Sequence, residues 1–267
     1  MKLRPIAGIV LRQIYLLRGS PVRVFPMVTW VAIDIVLWGF ITRYLNTVSG
    51  SGMDFVPTLL GGVLLWDFCT RIMQGVTTAF LEDVWSRNFL NLFASPLSIS
   101  EYITGLVITS VLTSSIGVVV MLVLATTVFH LQFFAMGLPL LAFLMLLFVF
   151  GITLGIFASA IVLRLGPASE WLLWPLPALL SPFAAVFYPL AVLPHWMQAV
   201  AHALPPSYVF EGMRALLDHQ PFPGMLLLQG SLVAAAELLL AAYFYGRVYR
   251  HAVRTGLLAR YSAESVA

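Results

Sequence analysis

Residues 82–101 read EDVWSRNFLNLFASPLSISE, a polar cassette set between long apolar runs that carry almost no charge. On a helix Trp85, Phe89, Leu92 and Phe93 fall on one stripe, while Asp83, Arg87 and Asn91 line a second at spacings of four. Pro96 disfavours helix at Ser95, so the pattern predicts a helix over 82–95 that stops there. Ser98 and Glu101 then read as a capping box that opens the next run: the hydroxyl takes one orphan amide and the carboxylate reaches back to another. An ordinary interfacial loop helix has the same periodicity, so the pattern alone leaves the role of the cassette open.

The flanking composition decides what surrounds it. Of 267 residues, 61% are hydrophobic and 9% charged. Crossing a bilayer takes about 20 apolar residues as a helix, and six runs qualify: Val24–Tyr44, Val56–Phe80, Tyr102–Phe129, Gly137–Leu163, Trp171–Leu193 and Met225–Gly246. They are too long, and too lacking in alternation, for barrel strands. The chain therefore reads as all-α, a polytopic membrane protein with one membrane domain over 1–267. The first 23 residues carry Lys2, Arg4, Arg12, Arg18 and Arg23 and do not resemble a cleavable signal peptide. The single cysteine, Cys69, excludes disulfides within the chain. The net charge of +3 reflects arginines beside spans, not a nucleic-acid surface.

Those arginines set the expected topology. With both termini cytoplasmic, the inner segments hold Lys2, Arg4, Arg12, Arg18, Arg23, Arg87, Arg164, Arg247, Arg250, Arg254 and Arg260, against Arg43 and Arg214 outside. That asymmetry is a positive-inside signal, and it puts the cassette in the cytoplasm. Segment 1–23 reads as interfacial, with a helix over Ile6–Arg18 broken by Gly19-Ser20-Pro21. Gly151, Gly155 and Ser159, four apart, permit close helix approach, more simply within the chain than across a dimer. Between Pro189 and Gly224 the sequence is too apolar for a soluble loop and too rich in proline for a span. Two short helices, His195–Leu204 and Ser207–Leu217, fit a re-entrant hairpin over 194–218.

Charges inside spans are costly and mark functional candidates. By the helical rise, Asp34 lies roughly 15 Å deep, Arg71 and Glu237 about 14 Å, and Asp67 one turn beyond Arg71. The expectation is a buried ion pair of Arg71 with Asp34 or Asp67, with Glu237 at matching depth; orienting spans one and two is its simplest role. Lys2 is the only lysine, so the chain lacks the lysine a P-loop needs. His130, His195, His202, His219 and His251 are scattered, without zinc-ligand spacing, and no metal site is expected.

The order of these parts resembles the permease subunit of type-2 ABC exporters, the membrane-domain family of polysaccharide, lipid and drug efflux. The resemblance rests on the cassette closing at Ser95-Pro96-Leu97-Ser98 with Glu101. It rests also on Tyr188-Pro189, Leu193-Pro194-His195-Trp196, Leu204-Pro205, Tyr208, Glu211 and Arg214, and it covers nearly the whole chain. Pro206-Ser207 departs mildly from the usual pattern before the aromatic. The resemblance implies a permease that is not itself an enzyme, in a prokaryotic plasma membrane, working as a dimer with two separately encoded ATPase subunits. ATP and magnesium would be bound by those subunits, with no cofactor in this chain. It makes segment 82–95 a coupling helix, with Asp83, Trp85, Arg87, Asn88 and Phe89 as its gripping face. It makes spans one, two and five the lining of an export path for an amphipathic or hydrophobic cargo, where Trp30, Trp38, Phe40, Trp66, Phe183, Phe187 and Tyr188 stand. Closed symmetric assemblies favour a homodimer. The other readings are a secondary transporter, which would want inverted repeats with broken helices, and an intramembrane enzyme built on Asp34, Asp67 and Glu237.

Overall fold

The computed structural model describes residues 3–48, 56–86, 91–92, 95–130, 137–218 and 220–257, and no strand occurs among them. The first helix, α1 (Leu3–Arg18), ends before Gly19-Ser20, and α2 (Pro21–Val48) restarts with proline in its first turn, where the missing amide costs nothing. A π-helical turn at Val56–Leu60 leads into α3 (Gly61–Trp85). The helix α4 (Ile99–Phe129) opens on the expected capping box: Glu101 N donates to Ser98 Oγ at 3.3 Å, and Ser98 N donates to Glu101 Oε2 at 3.1 Å. Then follow α5 (Gly137–Leu165), the one-turn helix α6 (Leu176–Leu180), α7 (His195–His202), α8 (Pro205–Leu217) and α9 (Gly224–Thr255).

Among the described residues, four helices contain a stretch long and apolar enough to cross a membrane: α2, through Val28–Val48, and the whole of α4, α5 and α9. At about 37 Å by its rise, α3 is long enough too, but Asp67, Arg71, Glu82 and Asp83 set it apart. The expected fifth span is not a continuous helix. Residues 171–193 form the end of a 3-10 turn (Pro167–Leu172), the short α6, a run of turns and a second 3-10 turn (Leu190–Val192). Pro175, Pro177, Pro182 and Pro189 explain this, since each lacks an amide and disfavours helix in the residue before it. Six continuous spans are therefore not what the chain builds.

The helices pack in the order α9, α5, α3, α4, with α2 and α1 against α4 and α8 against α5 and α9. Close approach rests on small residues, as expected where lipid offers no hydrophobic drive between helices. A Cβ at Gly151 would sit 2.7 Å from the Cys69 carbonyl oxygen, and one at Gly155 2.6 Å from Val76 Cβ, so the stripe Gly151, Gly155 seats α5 on α3. Two apolar cores result. One gathers Leu64, Met121, Phe143, Phe150 and Phe210 at the α8 end. The other gathers Ile9, Phe80, Tyr102, Val162 and Tyr245 at the end where α1, the finish of α3 and the finish of α9 meet.

Candidate functional site

The root of the cassette is the best-tied polar feature of that second end. Glu82–Trp85 are the last turn of α3 rather than the start of a separate helix, because no breaker interrupts the turn and its two carboxylates find partners in α1. Asp83 is 2% exposed. Its Oδ1 lies 2.5 Å from Arg12 Nη2, and its Oδ2 accepts from the Tyr102 hydroxyl at 2.8 Å. Burial pushes the Asp83 carboxyl up, with the Arg12 charge and the two hydrogen bonds pulling it down less strongly. Gln13, its amide turned to satisfy both neighbours, donates to Glu82 Oε2 at 3.1 Å and accepts from Arg12 at 3.2 Å. Asp83 is thus an internal pin joining α1, α3 and α4, not part of an exposed gripping face as the family resemblance implied. Trp85 is exposed on one side, and its indole Nε1 donates to Glu170 Oε2 at 3.1 Å. Arg87, Asn88 and Phe89 lie outside the described residues.

Along α3 from Glu82, beside the pin, to Asp67, a cleft of about 620 Å³ opens between α1, α2, α3 and α4. On its α3 wall Asp67 grips Arg71 with two bonds, Nε to Oδ2 at 2.6 Å and Nη2 to Oδ1 at 3.1 Å. This is the expected ion pair, made within one helix at a spacing of four. Asp34 of α2 lines the same cleft with both groups as charged neighbours. Glu237 stands apart: it is on α9, and its buried Oε2 has no hydrogen-bond partner among the described residues. Equal depth on the sequence did not mean adjacency, because α9 packs on α5 and α8.

The aromatics expected along an export path separate into pairs within a single chain. Trp30 lines the cleft. Trp38 stacks on Phe187 with centroids 5.7 Å apart, and Phe40 meets Phe129 edge-on at 5.8 Å. Trp66 tilts against Phe210, Phe183 against Trp196, and the Tyr188 hydroxyl donates to the Pro182 carbonyl at 2.6 Å. At this opposite end, Glu211 and Arg214 of α8 hold the broken segment: Leu190 N donates to Glu211 Oε1 at 2.6 Å, and Arg214 Nη2 donates to the Ala185 carbonyl at 2.8 Å. Arg214 also pairs with Glu211 at 2.9 Å. Arg12, Gln13, Tyr102 and Glu170 carry site geometry that the sequence did not single out, and nothing in local spacing announces contacts made between separate helices.

A helical bundle with four bilayer-length apolar helices and a charge-lined cleft among them is a multi-pass membrane protein. The chain belongs to the ABC-2 type transporter family, whose model matches residues 19–217. The match begins after α1 and ends with the last residue of α8. Membership makes the chain a membrane permease of ABC transporters, a family that works with an ABC ATPase. No curated protein matches the chain.

Proposed function

We propose that this chain is the membrane half of an ATP-driven exporter in a prokaryotic plasma membrane. Two copies enclose the path, and two separate ATPase subunits, which bind ATP and magnesium, seat on segment 82–95. The observation that carries this reading is the continuity of α3 into the cassette, with its end pinned at Asp83. A lever needs a stiff arm and an anchored base. Displacement of the end of α3 by a closing ATPase pair is then delivered to α1 as well, through Arg12 and Gln13. The work comes from a difference in ATPase affinity between the inward- and outward-facing permease, since equal affinity would shift nothing. The cargo is amphipathic or hydrophobic, and both termini face the cytoplasm.

The test is recovery of the ATPase encoded beside this gene on the detergent-solubilised permease, with Arg87→Glu and Phe89→Ala compared with the native chain. Loss of the complex in the variants, with the permease still monodisperse, is the expected result. Absence of any co-purifying ATPase, or binding indifferent to both substitutions, overturns the reading.

A further inference from the structure

The cleft between α1, α2, α3 and α4 adjoins the pin at Gln13 and Glu82, and the rest of its lining is specific and unused by the lever just described. Its volume of about 620 Å³ falls within the range of sites for drug-sized ligands, about 300–1,000 Å³. Three carboxylates line it, Asp34, Asp67 and Glu82, against one guanidinium among the described residues, Arg71, with Glu82 met by the Gln13 amide. Asp67 already engages that guanidinium with two bonds, which leaves Asp34 as the second acid around a cation held by the first. An anionic ligand would meet this excess of negative charge with the one cation of the α3 wall already held.

The hydroxyls of the opposite wall point to the same ligand class. Thr109 donates to the Gly105 carbonyl at 2.9 Å, Thr113 to Ser110 at 3.1 Å and Ser114 to Arg71 at 3.3 Å. Their protons are spent on backbone oxygens, so what they have left to offer is lone pairs. That acceptor-rich stretch of α4 suits a cation, while the donors elsewhere in the lining include the amides of Gln74 and of Gln13, the latter engaged by Glu82. Trp30 and Asp34, four apart on α2, share one helix face, and Trp30 is 62% exposed. A carboxylate one turn from an open indole face offers charge attraction and cation–π contact to the same head group. Trp174 adds a second indole to the lining.

We propose that this cleft binds an amphipathic organic cation, its charged head between Asp34 and Trp30 and its apolar body against the tryptophans. Treating the ligand as cargo rests on the exporter reading; the binding itself does not.

The experiment uses the full chain in lipid vesicles, without ATPase, and two probe ions of nearly equal shape and opposite charge. Labelled tetraphenylphosphonium and labelled tetraphenylborate are each measured alone, and the saturable uptake above protein-free vesicles is scored. The native chain is expected to bind the cation saturably and the borate not at all. Asp34→Asn weakens cation binding about ten-fold, Trp30→Ala about three-fold, and Trp30→Phe less than that. Glu237→Gln, which removes an intramembrane carboxylate outside the cleft, leaves binding unchanged. Equal saturable binding of both ions, native affinity in Asp34→Asn, or an equal loss in Glu237→Gln overturns the proposal. Should Asp34→Asn fail to fold, the Trp30 pair decides: Ala and Phe variants that both bind like the native chain overturn it. No ATPase is present, so failure here leaves ATPase recruitment by segment 82–95 standing, and failed recruitment leaves the cation site standing.

Discussion

The Arg12 guanidinium lies 2.5 Å from one oxygen of the Asp83 carboxylate while the Tyr102 hydroxyl holds the other at 2.8 Å. Three helices from separate parts of the chain meet at one buried acid. Taking that acid out of water offsets most of what the contact gains, as with buried ion pairs generally. Its contribution is therefore placement more than stability. Arg12→Met, which leaves the acid buried with only Tyr102, is expected to cost about 2 kcal/mol. Arg12→Met/Asp83→Leu should recover most of that loss while still uncoupling ATPase activity from transport. Thermal unfolding in detergent reads the first effect, and vesicle transport per ATP hydrolysed reads the second. A double variant that transports at the native ratio would mean that the pin plays no part in coupling.

Much of the architecture was legible where local chemistry fixes the backbone. The break at Gly19-Ser20-Pro21, the Ser98–Glu101 box and two helices close to 195–204 and 207–217 follow from propensity and capping, which act over a few residues. The fifth run misled because its hydropathy satisfies a span while its prolines forbid one. Asp83 misled for a different reason: its stripe on the helix is real, but the face it lies on is covered by α1, and only the packing of α1 on α4 decides that. In the same way depth along a span said that Glu237 and Arg71 were level, and could not say that α9 packs chiefly on α5 and α8.

The stripe that seats α5 on α3 predicts a sharp size limit. At Gly155 a side chain would meet Val76 Cβ at 2.6 Å and the Met73 carbonyl oxygen at 3.1 Å, both on a helix backbone or its first carbon, where little can yield. Gly155→Val should destabilise the fold by about 2 kcal/mol or more through overpacking. Ser159→Ala, whose hydroxyl only bonds its own helix at the Gly155 carbonyl, should change stability by less than about 1 kcal/mol. Melting of the two variants side by side checks the contrast, and comparable melting points would place the helix contact elsewhere.

At the other end of the bundle, Glu211 and Arg214 close two backbone groups of the broken segment, the Leu190 amide and the Ala185 carbonyl. Ala185 sits at φ 53, a left-handed conformation that a non-glycine residue holds only under constraint. Arg214→Ala removes the donor to that carbonyl and should loosen residues 182–193 locally, at a cost of about 1–3 kcal/mol. Amide exchange of peptides covering 182–193 should accelerate while peptides from α5 stay protected. Uniform acceleration across both would make Arg214 a global stabiliser, not a clamp.

The Asp67–Arg71 pair carries the last prediction. Its two charges neutralise each other one turn apart on α3, so a single deletion strands its partner inside the bundle. Arg71→Met should destabilise by about 3 kcal/mol, since an uncompensated buried carboxylate is the costly state. Arg71→Met/Asp67→Leu removes both charges, keeps the volume similar and should return most of the stability. Denaturant unfolding in detergent measures both. If the double variant unfolds as early as the single one, the remaining contacts of Arg71 hold α3 in place, and the pair with Asp67 is incidental to the fold.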